Sequence, residues 1–327
     1  MDIVIAEDID GNAIKDLSAL YEVFKDENLW KDRESLRRSI IGTKALIVRN
    51  QTRVDSEVLE RAGSLRVIGR AGVGYDNIDV EAASKLGIVV CYAPNENSIS
   101  TAEHAFGLIL GVLRKIPASH TSTVRGDWNR STFIGRELYG KTLGILGLGR
   151  VGGRLAVRAK AFGMKIVAYD KFLSPYEYFV TESGAELKNI DEVLACSDVV
   201  SCHLPLTKET RGLMDYSKLS LMKNAAVIIN TGRGELIVEE DLIRALKEGR
   251  IAGAGLDVRE KEPPPESELN HMMNVVLTPH IAGLTVEAQE KVIDTVAGDV
   301  RRVLQGLPAL NYVNFALPRL GGETDGR

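Results

Sequence analysis

Thr142 to Asp170 reads TLGILGLGRVGGRLAVRAKAFGMKIVAYD. Thr142 to Leu146 is a run of β-branched and apolar residues of the kind that forms a strand buried on both faces. It stops at Gly147, Gly149 and Gly152, which fit G-x-G-x-x-G. Leu155, Ala156, Ala159 and Phe162 then place apolar side chains at helical spacing, so a helix begins at the glycines. Val167 to Tyr169 predicts a second strand, ending in Asp170 about 20 residues past the glycines, where a ribose-binding carboxylate belongs. The first glycine permits a tight turn, the second lets backbone approach a pyrophosphate, and the third lets helix and strand pack closely. The helix N-terminus, at Arg150 and Val151, offers unpaired N–H groups to phosphates. The order strand, glycines, helix, strand, acid predicts a Rossmann dinucleotide site. Asp170 favours NAD over NADP, and the adjacent Lys171 weakens that preference a little.

At 327 residues the chain is about twice a typical domain, which predicts two domains of comparable size. A formal charge of -4 provides no global basic field, so no nucleic-acid partner is expected. Cys91, Cys196 and Cys202 show no C-x-x-C and no metal-ligand spacing, so reduced thiols and no metal are expected. No run approaches the 18 or so apolar residues of a spanning helix. The expectation is a cytoplasmic protein without a membrane partner.

Outside the glycine motif, strand-like runs at Ile3–Ala6, Ala45–Val48, Arg66–Gly69 and Ile88–Cys91 alternate with helical patterns at 16–20, 55–62 and 79–86, a small parallel α/β unit. Two of its strand ends carry arginines, Arg49 and Arg70. Val73 and Gly74 follow Arg70 in a glycine-containing loop. That loop is either an anion nest for a carboxylate or a turn serving the next helix. A helix from Ser100 or Thr101 to about Ile116 follows, ended by Pro117. His104 on it reads as a packing residue. The stretch 118–139, with Trp128, Arg130 and Phe133, reads as a long loop packed on something outside its own domain, a partner subunit among the options.

Strand-like runs recur at 198–202, 226–229, 251–256 and 275–277, each followed by a turn. His203-Leu204-Pro205 suits an adenine wall or simple packing. Thr231-Gly232-Arg233 follows the next strand, Asp257 ends the third with Glu262 beyond it, and His280 and Gly283 follow the last. Each polar residue alone has an ordinary reading: Arg233 as a salt bridge, Glu262 as a solvated charge, His280 as a satisfied core histidine. Together, at consecutive strand ends beside a dinucleotide fold, they predict hydride transfer on a 2-hydroxy or 2-oxo acid. Arg233 would bind the carboxylate and polarise the carbonyl, His280 would act as general acid/base oriented by Glu262, and Asp257 would steady the nicotinamide end.

With the motifs GRAGVGYDNID, GKTLGILGLGRVGG, NTGRGELI, AGLDVREKEPP and LTPHIAG, the chain resembles the D-isomer-specific 2-hydroxyacid dehydrogenase family from about Ala45 to Gln305. The likeness is greatest to its members acting on 3-phosphoglycerate. The resemblance implies two doubly wound parallel-sheet α/β domains with a cleft between them. These are a flavodoxin-like substrate-binding domain of residues 1–98 and 286–327 and a Rossmann NAD-binding domain of residues 99–285. It implies the catalytic set Arg233, Glu262 and His280, a substrate carboxylate on the N–H groups of Val73 and Gly74, and a distal phosphate on Arg49, Arg70 and Arg130, the last reaching in from a neighbouring subunit. A homodimer is expected, with a tetramer as the alternative. The family's common Val-Arg-Ser is Val48-Arg49-Asn50 here, which leaves room for another anionic acid such as a sulfonated one. The end near Arg327, without an appended regulatory domain, speaks against serine feedback. The rival readings are a glyoxylate or hydroxypyruvate reductase and, from another class, an NAD(H)-sensing corepressor.

Overall fold

Short apolar runs whose side chains are buried on both faces have no solvent side to present, and here they become parallel strands covered by helices. The computed structural model describes residues 1–319; residues 320–327, assigned above to the substrate-binding part, lie outside the described residues. The strands are β1 (Ile3–Ile5), β2 (Val23–Lys25), β3 (Ala45–Val48), β4 (Val67–Arg70), β5 (Val89–Tyr92), β6 (Thr142–Leu146), β7 (Lys165–Tyr169), β8 (Glu186–Leu187), β9 (Val199–Cys202), β10 (Val227–Asn230), β11 (Gly253–Leu256) and β12 (Val275–Leu277). The helices are α1 (Asn12–Leu20), α2 (Arg33–Ser39), α3 (Ser56–Leu59), α4 (Val80–Lys85), α5 (Ser98–Leu113), α6 (Ile116–Val124), α7 (Arg150–Ala161), α8 (Tyr178–Ser183), α9 (Ile190–Cys196), α10 (Tyr216–Leu221), α11 (Glu239–Lys247) and α12 (Val286–Leu304).

The chain divides into two compact units. The first comprises Met1–Asn97 and the described chain from Thr285 onward, around a parallel five-stranded sheet in the order β2-β1-β3-β4-β5. Ile3, Ile5, Ile47 and Val67 face α12 on one side of it, and Val4, Leu46, Val48 and Ile68 face the Leu36 and Val58 side on the other. Gly69 of β4 lies under α12, where a Cβ would come within 2.7 Å of Val296 and 2.8 Å of Val300. Glycine is therefore what lets the last helix seat on a sheet built from the beginning of the chain.

The second unit, Ser98–Leu284, holds a parallel seven-stranded sheet in the order β12-β11-β10-β9-β6-β7-β8. From β6 the chain moves outward through β7 and β8, then returns to β9 and proceeds the other way. The loops leaving β6 and β9 thus diverge at a topological switch point, where open α/β sheets bind ligands. Alternate residues of β6, β9 and β10 supply separate cores on the two faces, Leu143, Ile145 and Ile229 on one and Leu146, Val200 and Ile228 on the other.

Several details differ from the sequence reading. The stretch read as a loop from Ala118 begins with α6, and Arg130–Phe133 is a 3-10 turn. Pro117 opens α6 rather than closing α5; the break comes at Lys115, whose φ of 54° is left-handed. Neither α6 nor the turn buries a residue, so no apolar stripe marks them. The edge strands β2 and β8 and the polar helix α2 also carried no periodic signal.

Candidate active site

The glycine motif folds as its spacing predicts. Gly147 has φ 96°, and a Cβ there would press on the His203 carbonyl; a Cβ at Gly152 would overlap the Gly147 carbonyl oxygen. Both positions need glycine for packing. Gly149 does not: a Cβ there meets nothing within 4 Å, so the space over the first turn of α7, at Arg150 and Val151, is open. Asp170 ends β7 and accepts the Leu148 N–H at 3.0 Å and the Phe172 N–H at 3.0 Å, which fixes its carboxylate beside the glycine loop.

Along the same carboxyl edge comes His203 after β9. Its Nε2 lies 2.8 Å from Ser201 Oγ, and burial pushes its pKa down to about 4, so it is a neutral group in an apolar wall with Leu204. Pro205 is exposed and its carbonyl accepts the Thr210 hydroxyl. Thr231 follows β10 with a buried hydroxyl oxygen that has no protein partner. An open cradle at Gly149, an orphaned hydroxyl at Thr231 and a strand-end carboxylate at Asp170 fit a dinucleotide stretched along this edge.

The three turns beyond β10, β11 and β12 hold the polar set. Asn230, buried at the end of β10, donates from Nδ2 to the Arg233 carbonyl at 2.8 Å and accepts the Gly232 N–H at 3.0 Å, clamping the Arg233 turn. His280 Nδ1 lies 2.6 Å from Glu262 Oε2. Burial would raise the Glu262 pKa, but the His280 hydrogen bond and charge hold it below the ordinary carboxylate range. The carboxylate is therefore ionised at neutral pH and favours a proton on Nδ1. His280 has φ 55°, a left-handed conformation that costs a non-glycine residue about 1–3 kcal/mol.

Asp257 shows what holds that strain. Its buried carboxylate accepts the Thr278 hydroxyl at 2.5 Å and the N–H groups of Ile281 at 2.9 Å and Ala282 at 2.8 Å, and its carbonyl accepts the His280 N–H at 2.8 Å. The Asp257 side chain is thus turned onto the His280 loop. His104, read from sequence as a packing residue, belongs to the same cluster: its Nε2 is 2.9 Å from Thr278 Oγ1 and 3.4 Å from Asp257 Oδ1. A histidine in an apolar helix gave no sign of that partner. Gly283 closes the loop.

In the first unit, Arg49 and Arg70 leave the neighbouring strands β3 and β4. Arg49 is half-buried, with burial lowering its pKa against the pull of Glu7 and Asp8. Buried Glu7, which sequence reasoning missed, accepts the N–H groups of Arg49, Gln51 and Thr52 at 2.8, 3.2 and 2.9 Å. Asn77 donates to the Arg49 and Thr52 carbonyls, tying the two strand-end loops together. Arg70 folds over Gly72, ahead of Val73 and Gly74. Arg130 is exposed on its 3-10 turn.

Residues 106–282 match the model of the D-isomer specific 2-hydroxyacid dehydrogenase NAD binding domain. The chain belongs to that family. It is 45% identical over 316 residues to the D-3-phosphoglycerate dehydrogenase of Archaeoglobus fulgidus, covering 96% of this chain and 59% of that one. It thus spans about three fifths of that relative's length. It is 42% identical to the glyoxylate reductase of Thermococcus litoralis, covering 95% of this chain and 96% of the other. The crystal structure of a glyoxylate reductase from Paecilomyes thermophila superposes with a TM-score of 0.86 at 33% identity, over 96% of this chain and 98% of that one. The second unit is the family's NAD binding domain and NAD its cofactor. Among the described residues no helix is long and apolar enough to cross a membrane.

Proposed function

We propose that the protein is an NAD-dependent D-2-hydroxyacid dehydrogenase that interconverts D-3-phosphoglycerate and 3-phosphohydroxypyruvate. The observation that carries the reading is the 2.6 Å contact of His280 Nδ1 with Glu262 at the carboxyl edge of a dinucleotide-binding sheet. When bound, the nicotinamide supplies a hydride acceptor or donor. Asp170, the glycine loop and the first turn of α7 would hold the adenosine ribose and pyrophosphate, and Thr231, Gly232 and Gly283 the nicotinamide half. His280, its Nδ1 proton held by Glu262, takes the substrate hydroxyl proton on Nε2 during oxidation and returns it during reduction. Arg233 binds the carboxylate and polarises the carbonyl oxygen on which negative charge develops in reduction. The acid's carboxylate is assigned to the N–H groups of Val73 and Gly74, and its distal phosphate to Arg49, Arg70 and Arg130.

The reading extends to a cytoplasmic homodimer. The free thiols Cys91, Cys196 and Cys202 suit a reducing compartment, and Trp128, Val124, Ile134 and Tyr139 are exposed apolar groups of the kind a second copy covers. Glyoxylate reduction is the second reading, supported by the 42% identity to the glyoxylate reductase of Thermococcus litoralis.

NADH oxidation with 3-phosphohydroxypyruvate, hydroxypyruvate and glyoxylate separates the readings. Arg49→Ala is expected to raise KM for the phosphorylated acid at least tenfold and leave glyoxylate little changed. His280→Gln is expected to abolish turnover with NADH binding retained. Equal effects of Arg49→Ala on all three acids would remove the phosphate assignment, and an active His280→Gln would remove the acid/base role.

A further inference from the structure

Arg259 lies three residues before Glu262 on the loop leaving β11, and it is buried, which is unusual for an arginine. Its Nε donates to Glu239 Oε1 and its Nη2 to Glu239 Oε2, both at 2.8 Å, a two-pronged ion pair with the first residue of α11. Burial would raise the Glu239 pKa, and the Arg259 guanidinium together with the Glu260 N–H more than offsets it, so the carboxylate stays ionised. The backbone is stitched at the same place. The Glu260 N–H donates to Glu239 Oε1 at 2.8 Å, and the Glu239 N–H donates to Glu260 Oε2 at 3.2 Å.

Two contacts lead from this pair to the polar set. The Arg259 N–H donates to Glu262 Oε1 at 3.0 Å, while the other oxygen of that carboxylate faces His280. Gly234, next to Arg233, packs so tightly on the Arg259 carbonyl that a Cβ would overlap it. One residue thus carries the Glu262 carboxylate on its N–H and seats the Arg233 turn on its carbonyl. A buried ion pair contributes little net stability, because desolvation offsets most of the Coulombic gain. What a planar, two-pronged pair does provide is direction.

We propose that the Glu239–Arg259 pair is a positioning device for the His280–Glu262 dyad and the Arg233 turn. It fixes the backbone on both sides of the Arg259 Cα so that Glu262 is aimed at Nδ1 of His280. The role rests on the functional reading above. It acts on geometry and proton placement rather than on cofactor affinity.

The test uses the full chain with Glu239→Gln, Arg259→Lys and the double variant Glu239→Leu/Arg259→Met, whose apolar pair is expected to fold even if a single variant does not. Turnover is followed with NADH and 3-phosphohydroxypyruvate, NADH affinity by fluorescence, and the dyad by proton NMR of the low-field imidazole Nδ1 signal, assigned by its loss in His280→Asn. In the folded variants kcat is expected to fall about tenfold to a hundredfold. KM and NADH affinity are expected to change little, the pH profile of kcat to shift, and the low-field proton to move or broaden. Folded variants with unchanged kcat, pH profile and low-field proton would overturn the proposal, as would a wild-type protein lacking that proton. A wild type that reduces no 2-oxo acid overturns the functional reading instead, and the NMR comparison still decides the positioning role.

Discussion

Gly149 and Gly152 are three residues apart, yet they are glycine for different reasons, and the difference can be measured. A methyl group at 152 has nowhere to go but into the Gly147 carbonyl, so Gly152→Ala should force α7 away from β6. Overpacking of this kind costs about 1–3 kcal/mol or more. Gly152→Ala is thus expected to lower the melting temperature even without ligand. Gly149→Ala enters open space, so it should fold normally and lose NADH affinity by tenfold or more, because the methyl group occupies the phosphates' approach. If Gly149→Ala binds NADH normally, the cradle is not where the pyrophosphate lies. His203 offers a second check at this scale. Its pKa falls from 6.5 to about 4 on folding, so between those values the unfolded chain binds more protons than the native one, and stability drops as pH falls. Because the residue keeps part of its surface in water, about 3 kcal/mol by pH 4 is the upper bound on that loss. Urea titrations of His203→Gln are expected to show a shallower decline from pH 6.5 to pH 4.5 than wild type. Parallel declines would mean that His203 is not buried as a neutral ring.

At the scale of elements, the loop after β12 depends on the residue ending β11. Asp257 presents only acceptors to three donors on that loop. In Asp257→Asn one oxygen becomes an NH2 group, and either amide orientation sets a donor against a donor, at about 1–3 kcal/mol. The left-handed His280 is then free to relax. The expected result is a kcat loss above tenfold with NADH affinity nearly kept, read by stopped-flow and fluorescence; wild-type kcat would show that the loop holds its shape unaided. This partnership also shows where sequence reading stops. The boundaries of β6, β3 and β12 follow from apolar runs, and Asp55, Asp79 and Thr285 cap their helices as acidic or hydroxyl N-caps do. That Arg233, Glu262 and His280 leave adjacent strands is legible because strand order follows from doubly wound topology. The direction of the Asp257 side chain, the role of His104 and the buried Glu7 are not. Each depends on a partner more than 20 residues away that no local pattern names. The helix α6 escaped for a related reason: it buries nothing, so its residues carry no period.

At the scale of the molecule, chain order and packing order disagree, and that disagreement is testable. Helix α12 follows the second unit directly in sequence, but its Val292, Val296 and Val300 lie in the core with Ile3, Ile47 and Val67. Backbone amides that share a cooperative core exchange together. Peptides from residues 286–304 are therefore expected to exchange hydrogen at the rates of β3 and β4, not at those of the α11 and β11 peptides that precede them in the chain. Gly69→Ala sharpens the test, since its methyl group meets Val296 and Val300 at 2.7 and 2.8 Å. It should accelerate exchange in α12, β3 and β4 and leave β6, β9 and β10 unchanged. NADH should do the converse, slowing exchange around β6, β7 and β9, because binding stabilises what it touches by about 2.7 kcal/mol at a hundred times its dissociation constant. An α12 that responds to NADH like β6, and not to Gly69→Ala, would show that the last helix folds with its sequence neighbours and that the first sheet stands without it.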